Sequence, residues 1–94
     1  MGEIVFDWDQ WNVQKNELKH GVSSLEAEST FYDKDLLVFE DIKHSRSEKR
    51  YIAYGYSLYH HHLMIAFTLR VEKIRIISAR MASKKEREIY ENRA

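Results

Sequence analysis

Apolar positions recur along this chain with two periods, and the change falls near residue 36. In the first forty residues Trp8, Trp11, Leu18 and Val22 lie at roughly helical spacing. Asp9 suits the N-cap of that helix. His20-Gly21 suits its end, because glycine enters the left-handed conformation at a C-terminal cap without a Cβ penalty. Ser23 and Glu26 form a capping-box pattern for a short second helix carrying Leu25, Ala27 and Phe31. A brief strand over Ile4–Phe6 is predicted ahead of both.

From Leu36 the pattern becomes strand-like. Leu36-Leu37-Val38-Phe39 is a short apolar run followed by a polar turn from Asp41 to Ser47. Arg50 to Tyr56 sets Ile52, Tyr54 and Tyr56 against Tyr51, Ala53 and Gly55, and Leu63 to Leu69 alternates in the same way. Lys73 to Ser78 is rich in isoleucine. A last capping box, Ser83 and Glu86, opens a polar helix whose apolar face is little more than Ala82, Ile89 and Tyr90. The expected fold is α+β: two N-terminal helices, a four-stranded, mainly antiparallel sheet, and a C-terminal helix, with the helices on one sheet face.

Composition narrows the function classes. At 94 residues the chain is expected to form a single domain. With no cysteine it has neither a disulfide framework nor a thiolate metal ligand or nucleophile. No apolar run approaches the ~18 residues of a membrane span, and the N-terminus lacks a secretory pattern, so a cytoplasmic protein without membrane contact is expected. The formal net charge of zero argues at first sight against a nucleic-acid partner. Division after Asp41 reverses that inference. Residues 1–41 hold three basic and ten acidic side chains, a balance of −7, and residues 42–94 hold twelve basic and five acidic, a balance of +7. Partners respond to the local field, and the basic half builds the sheet, so an open sheet face suited to a polyanion is expected.

Few residues stand out for chemistry. There is no glycine-rich phosphate loop, His-Glu-x-x-His or nucleophile elbow. His60-His61-His62 falls between two strand patterns, where consecutive side chains diverge, so a solvated hairpin turn is expected rather than a metal site. Arg75 and Arg80 lie near a strand end and can grip a phosphate or serve as plain surface cations. Five residues apart, they face opposite ways on a regular strand, so either the strand stops near Ser78 or a bulge re-aims Arg80. His20 also reads as a cation at a helix C-terminus.

Taken in order, Phe6-x-Trp8-Asp9, Asn16-x-x-Lys19-His20-Gly21-Val22, Phe31-x-Asp33, Asp41-x-x-His44-Ser45-x-x-Glu48-x-Arg50, Gly55, Arg75-Ile76-Ile77-Ser78-Ala79-Arg80-x-Ala82 and Glu86-Arg87-x-x-Tyr90 resemble the BrnT family over about residues 6–90. Asn12 stands where that family commonly has lysine. The resemblance implies a RelE-like fold and a ribonuclease toxin of a bacterial type II toxin–antitoxin system. It also implies RNA as substrate, a BrnA-type antitoxin as protein partner, and operator DNA bound only through that antitoxin. RNA carries its own nucleophile, the 2′-hydroxyl, so no metal or other cofactor is required. On these terms Arg75 and Arg80 stabilise the phosphate and His20 is the leading acid–base residue, with His44 a second. Tyr90 positions RNA or donates a proton, and Lys19, Arg50, Lys84 and Arg87 bind the RNA backbone. The rival expectations are a non-catalytic nucleic-acid-binding module or inactive toxin homologue, and a structural subunit without RNA affinity.

Overall fold

The computed structural model describes residues 3–92. Its strands are β1 (Phe6–Trp8), β2 (Leu37–Glu40), β3 (Tyr51–Tyr56), β4 (His62–Arg70) and β5 (Lys73–Met81). Its helices are α1 (Gln10–His20), α2 (Ser24–Ser29) and α3 (Lys84–Asn92), with single 3-10 turns at Thr30–Tyr32 and Ile42–His44. The strands form one sheet in the order β1-β5-β4-β3-β2. Among the described residues no helix is long and apolar enough to cross a membrane.

The α+β class and the four long segments agree with the sequence pattern, but the sheet has five strands and is mixed. β1 lies at Phe6–Trp8 rather than Ile4–Phe6 and runs parallel to β5, pairing Phe6 with Ile74, Asp7 with Arg75 and Trp8 with Ile76. Three residues carry almost no periodic signal of their own. This strand exists because β5 offers an edge and because Arg75 Nη1 donates to Asp7 Oδ2 at 2.8 Å.

Both helix ends of α1 follow their caps. Asp9 accepts the Trp11 N–H at 2.9 Å, and Gly21, at φ 69°, donates its N–H to the Glu17 carbonyl at 2.9 Å. Ser23 likewise accepts from the Glu26 N–H at 3.1 Å. The Glu26 carboxylate then takes a longer route than a capping box. It accepts from Ser57 Oγ at 2.7 Å and lies 2.6 Å from His61 Nδ1, pinning the β3–β4 hairpin to α2.

Val22, Ala27 and Phe31 pack on Ala53, Leu63, Ile65, Phe67, Ile76 and Ala79 to form the core. Phe31 stands edge-on to Phe67 with centroids 5.1 Å apart. Burial of each large side chain contributes about 1.5–3 kcal/mol. At Gly55 the Thr30–Tyr32 turn approaches β3 so closely that a Cβ would meet Leu36 Cδ1 at 2.7 Å and Thr30 Cγ2 at 3.0 Å.

One irregularity decides which way β5 side chains point. Ala66 pairs with Ser78 but Phe67 pairs with Ile76, so Ile77 is an extra residue on β5, a β-bulge. Ile76 and Ala79, an odd number apart, therefore both bury in the core. Arg75 and Arg80 consequently share the opposite face, with Thr68 and Met64 as their β4 partners. Of the two expected outcomes it is the bulge that occurs, and β5 continues past Ser78 to Met81.

That opposite face is not bare. Instead of joining α1 and α2, α3 packs across one end of it: Tyr90 stacks edge-on to Tyr56 at 5.6 Å and to His62 at 4.6 Å. The thin apolar face of α3 suffices because one aromatic residue, Tyr90, does the docking.

The three histidines meet three different environments, so a wholly solvated turn is corrected. His60 occupies a left-handed turn position (φ 62°), His61 bonds Glu26, and His62 is buried between Tyr56 and Tyr90 with neither ring nitrogen hydrogen-bonded among the described residues. Burial pushes the His62 pKa below 6.5. Arg87 adds to that fall, while Glu91, Asp33 and Glu86 oppose it. The unfolded chain therefore takes up a proton at a pH where the folded chain does not. The His62 contribution to stability is complete above 6.5 and is lost as pH falls from there toward the folded-state pKa, at a slope of at most about 1.4 kcal/mol per pH unit for one proton. We expect His62→Phe to keep or raise Tm at pH 7 and to flatten the acid-side fall in Tm. An unchanged acid-side slope in calorimetry would contradict this assignment.

Candidate functional site

β1 pairs with β5 only at residues 74–76, which among the described residues leaves the outer edge of β5 without a strand from Ile77 onward. Unpaired backbone donors there need another partner. The Ala79 N–H donates to Asn16 Oδ1 at 2.8 Å, and Asn16 Nδ2 donates to the Val22 carbonyl at 3.2 Å. Asn16 is buried and ties the last turns of α1 to this edge. The next residues of the same helix, Lys19 and His20, then line a cleft of about 250 Å³ with Asn12, Lys15, Asn16, Ile77 and Ser78. Residues of the acidic half thus reach the basic sheet. Partial burial lowers the His20 pKa, and the charges of Lys19 and Arg80 lower it further, which marks Arg80 as an electrostatic neighbour of the imidazole.

Arg80 is held by α3. Its Nη1 and Nη2 donate to Glu86 Oε1 and Oε2, both at 2.9 Å, and Nη1 also reaches the Met81 carbonyl at 3.1 Å. Glu86 Oε1 accepts the Ser83 N–H at 2.8 Å, so this carboxylate caps α3 and orients the guanidinium together. The shared hydrogen bonds hold the Arg80 pKa up and the Glu86 pKa down. A guanidinium has five N–H donors. With both Nη1 protons and one Nη2 proton engaged, the Nε–Nη2 edge can still take a second anion bidentately. Sequence spacing identified Glu86 only as a capping residue. Its second role depends on the turn between β5 and α3, which no local pattern encodes.

Arg75 is placed apart from Arg80. Their β4 partners, Thr68 and Met64, lie four residues apart, roughly 13 Å along the strand, and the two guanidinium groups are held by different carboxylates. Arg75 is turned to Asp7 at 2.8 Å and to Asp9 at 3.8 Å, where it joins β1 and the start of α1 to β5.

Ile77 also lines a second cleft of about 390 Å³, together with His44, Arg46, Ser47, Glu48, Arg50 and Thr68. The loop over it is fixed by backbone and side-chain bonds: the Asp41 N–H donates to the Arg50 carbonyl at 2.7 Å, and the Arg50 N–H donates to Ser45 Oγ at 2.9 Å. His44 Nδ1 lies 2.8 Å from Asp41 Oδ2, while Glu48 pairs with Arg70. Arg50 and His44 are therefore near one another, in the cleft adjoining that of His20. Lys84 and Arg87 are exposed on α3. Tyr90 is buried, and its hydroxyl donates to Asp33 Oδ2 at 2.7 Å, which gives it a packing role. Among the described residues no group of three or more histidine, aspartate or glutamate side chains is placed to hold a metal ion.

Comparison with known proteins adds a family. Residues 8–86 match the family described as the ribonuclease toxin, BrnT, of type II toxin–antitoxin systems. No curated protein sequence matches the chain. Among solved structures, the crystal structure of the Brucella abortus ribonuclease toxin BrnT matches with a TM-score of 0.64 and 24% identity, covering 87% of this chain and all of that one. At that identity the match speaks for the α+β fold, not for individual site residues.

Proposed function

Since the chain belongs to the BrnT family of ribonuclease toxins of type II toxin–antitoxin systems, we propose that it is an endoribonuclease that uses the RNA 2′-hydroxyl as nucleophile, needs no metal, and is neutralised by a BrnA-type antitoxin. Operator DNA is bound only through that antitoxin. The observation that carries the catalytic reading is that Lys19 and His20, from the end of α1, line a cleft with Ile77 and Ser78 of β5, two residues before Arg80, whose charge reaches the imidazole.

The chemistry needs three things. A base removes the 2′-hydroxyl proton as that oxygen attacks phosphorus, cations stabilise the five-coordinate phosphate, and an acid protonates the 5′-oxygen as the P–O5′ bond breaks. The products are a 2′,3′-cyclic phosphate and a 5′-hydroxyl. His20, with its lowered pKa, is neutral at pH 7 and suits the base. Arg80 presents its Nε–Nη2 edge to the phosphate, with Glu86 holding the other edge. His44, in the adjoining cleft, is the second acid–base candidate. Lys19 and Arg50 bind flanking backbone, and Lys84 and Arg87 extend the basic surface along α3. Arg75 supports the phosphate site by fixing β1 and α1 to β5 rather than by direct contact.

The test is incubation of purified protein with a defined RNA in excess chelator, together with growth after induced expression. Cleavage in chelator and growth arrest relieved by the adjacent antitoxin gene are expected. RNA that is bound but left intact would leave the non-catalytic module. Activity that vanishes with chelator and returns with Mg²⁺ would end the metal-free mechanism.

A further inference from the structure

Resting on the ribonuclease reading, we propose that the cleft under residues 44–50 is a second nucleotide subsite, binding a phosphate and sugar of the RNA strand beyond the scissile linkage. Ile77, the bulge residue, lines both this cleft and the one containing His20, so the two adjoin there. A single strand crossing the bulge enters both. Arg46 and Arg50 supply charge, and the one carboxylate among the described lining residues, Glu48, is engaged by Arg70 at 2.6 Å. The cleft is therefore net cationic.

Its floor carries an independent mark. Thr68 is 4% exposed and its Oγ1 has no hydrogen-bond partner among the described residues, an arrangement that ordinarily costs stability. A ribose hydroxyl or phosphate oxygen seated against the floor, with a small rotation of Thr68, gives that hydroxyl its partner. The loop above needs little rearrangement, because Ser45 and Asp41 already hold Arg50 in place. Arg46 is exposed, so reversing its charge leaves the fold intact.

The experiment uses the full chain and RNA blocked by a single 2′-deoxy sugar at the cleaved position, which keeps every other ribose hydroxyl, in lengths of about three and about twelve nucleotides. We expect the longer RNA to shift the backbone amides of Arg46, Arg50 and Thr68 in NMR titrations, while the shorter one moves only those around His20 and Ser78. Arg46→Glu is expected to weaken the longer RNA about tenfold in fluorescence anisotropy and to reduce the salt dependence of binding. Thr68→Val is expected to keep or raise Tm yet weaken the same RNA. Silent amides at Arg46, Arg50 and Thr68 with the longer RNA, or full affinity in Arg46→Glu, would overturn the subsite. Failure of the ribonuclease reading looks different: unmodified RNA stays intact whatever the binding data show.

Discussion

Arg80→Ala is expected to slow RNA cleavage by about 10²–10³-fold, the usual effect of removing one donor that stabilises charge in a transition state. The guanidinium is held from one side by Glu86 and Met81, so its free edge is fixed before substrate arrives. Preorganisation of that kind is lost even when charge is retained. Arg80→Lys should therefore recover only a small part of the rate, since an ammonium cannot bond Glu86 and a phosphate in the same planar geometry. The alanine variant also leaves the mostly buried Glu86 carboxylate with only its Ser83 N–H partner, at a cost of about 1–3 kcal/mol. Tm measured beside initial rates separates the two effects. Arg80→Lys at wild-type rate would remove Arg80 from the reaction.

The second large effect belongs to His20. His20→Ala should lower kcat/KM by about 10²–10⁴-fold, as loss of a general base does. The pH profile identifies the residue more sharply. Because burial, Lys19 and Arg80 all lower its pKa, wild-type cleavage should persist below pH 6.5 and fall only as pH drops through the His20 value. In His20→Ala that acid limb should disappear from the residual activity. If it survives, another base titrates there, and His44 is the next to test.

Much of this architecture can be read from side-chain pattern. Asp9, Gly21, Ser23 and Ser83 mark helix ends because capping is local chemistry, satisfied within three or four residues. The long strands show because alternating side chains must choose between a core and an open face. Three features escape such reading, and all are non-local. β1 has three residues and exists through its pairing with β5. α3 chooses its sheet face through Tyr90, which could as readily have docked elsewhere by pattern alone. The bulge at Ile77 is set by two neighbouring strands together, and it alone decides that Arg75 and Arg80 face the same way. The candidate residues were visible as types; their grouping was not. A buried asparagine that satisfies one orphan N–H brings His20 to the β5 edge next to Arg80, whereas Arg75 and Tyr90 are drawn into packing by Asp7 and Asp33.

The charge division at Asp41 also acquires a physical meaning. Lys19 and His20 cross it at the end of α1, and Asp7 and Asp9 cross it in the other direction to hold Arg75. The acidic half therefore both feeds the basic face and trims it.

The most direct test of the central claim is the chemistry of the cut ends. RNA cleaved by the purified protein in chelator should carry 2′,3′-cyclic phosphate and 5′-hydroxyl termini by mass spectrometry, and a single 2′-deoxy substitution at the cleaved position should abolish the cut. Termini with a 5′-phosphate and 3′-hydroxyl, or undiminished cleavage at the 2′-deoxy position, would contradict it.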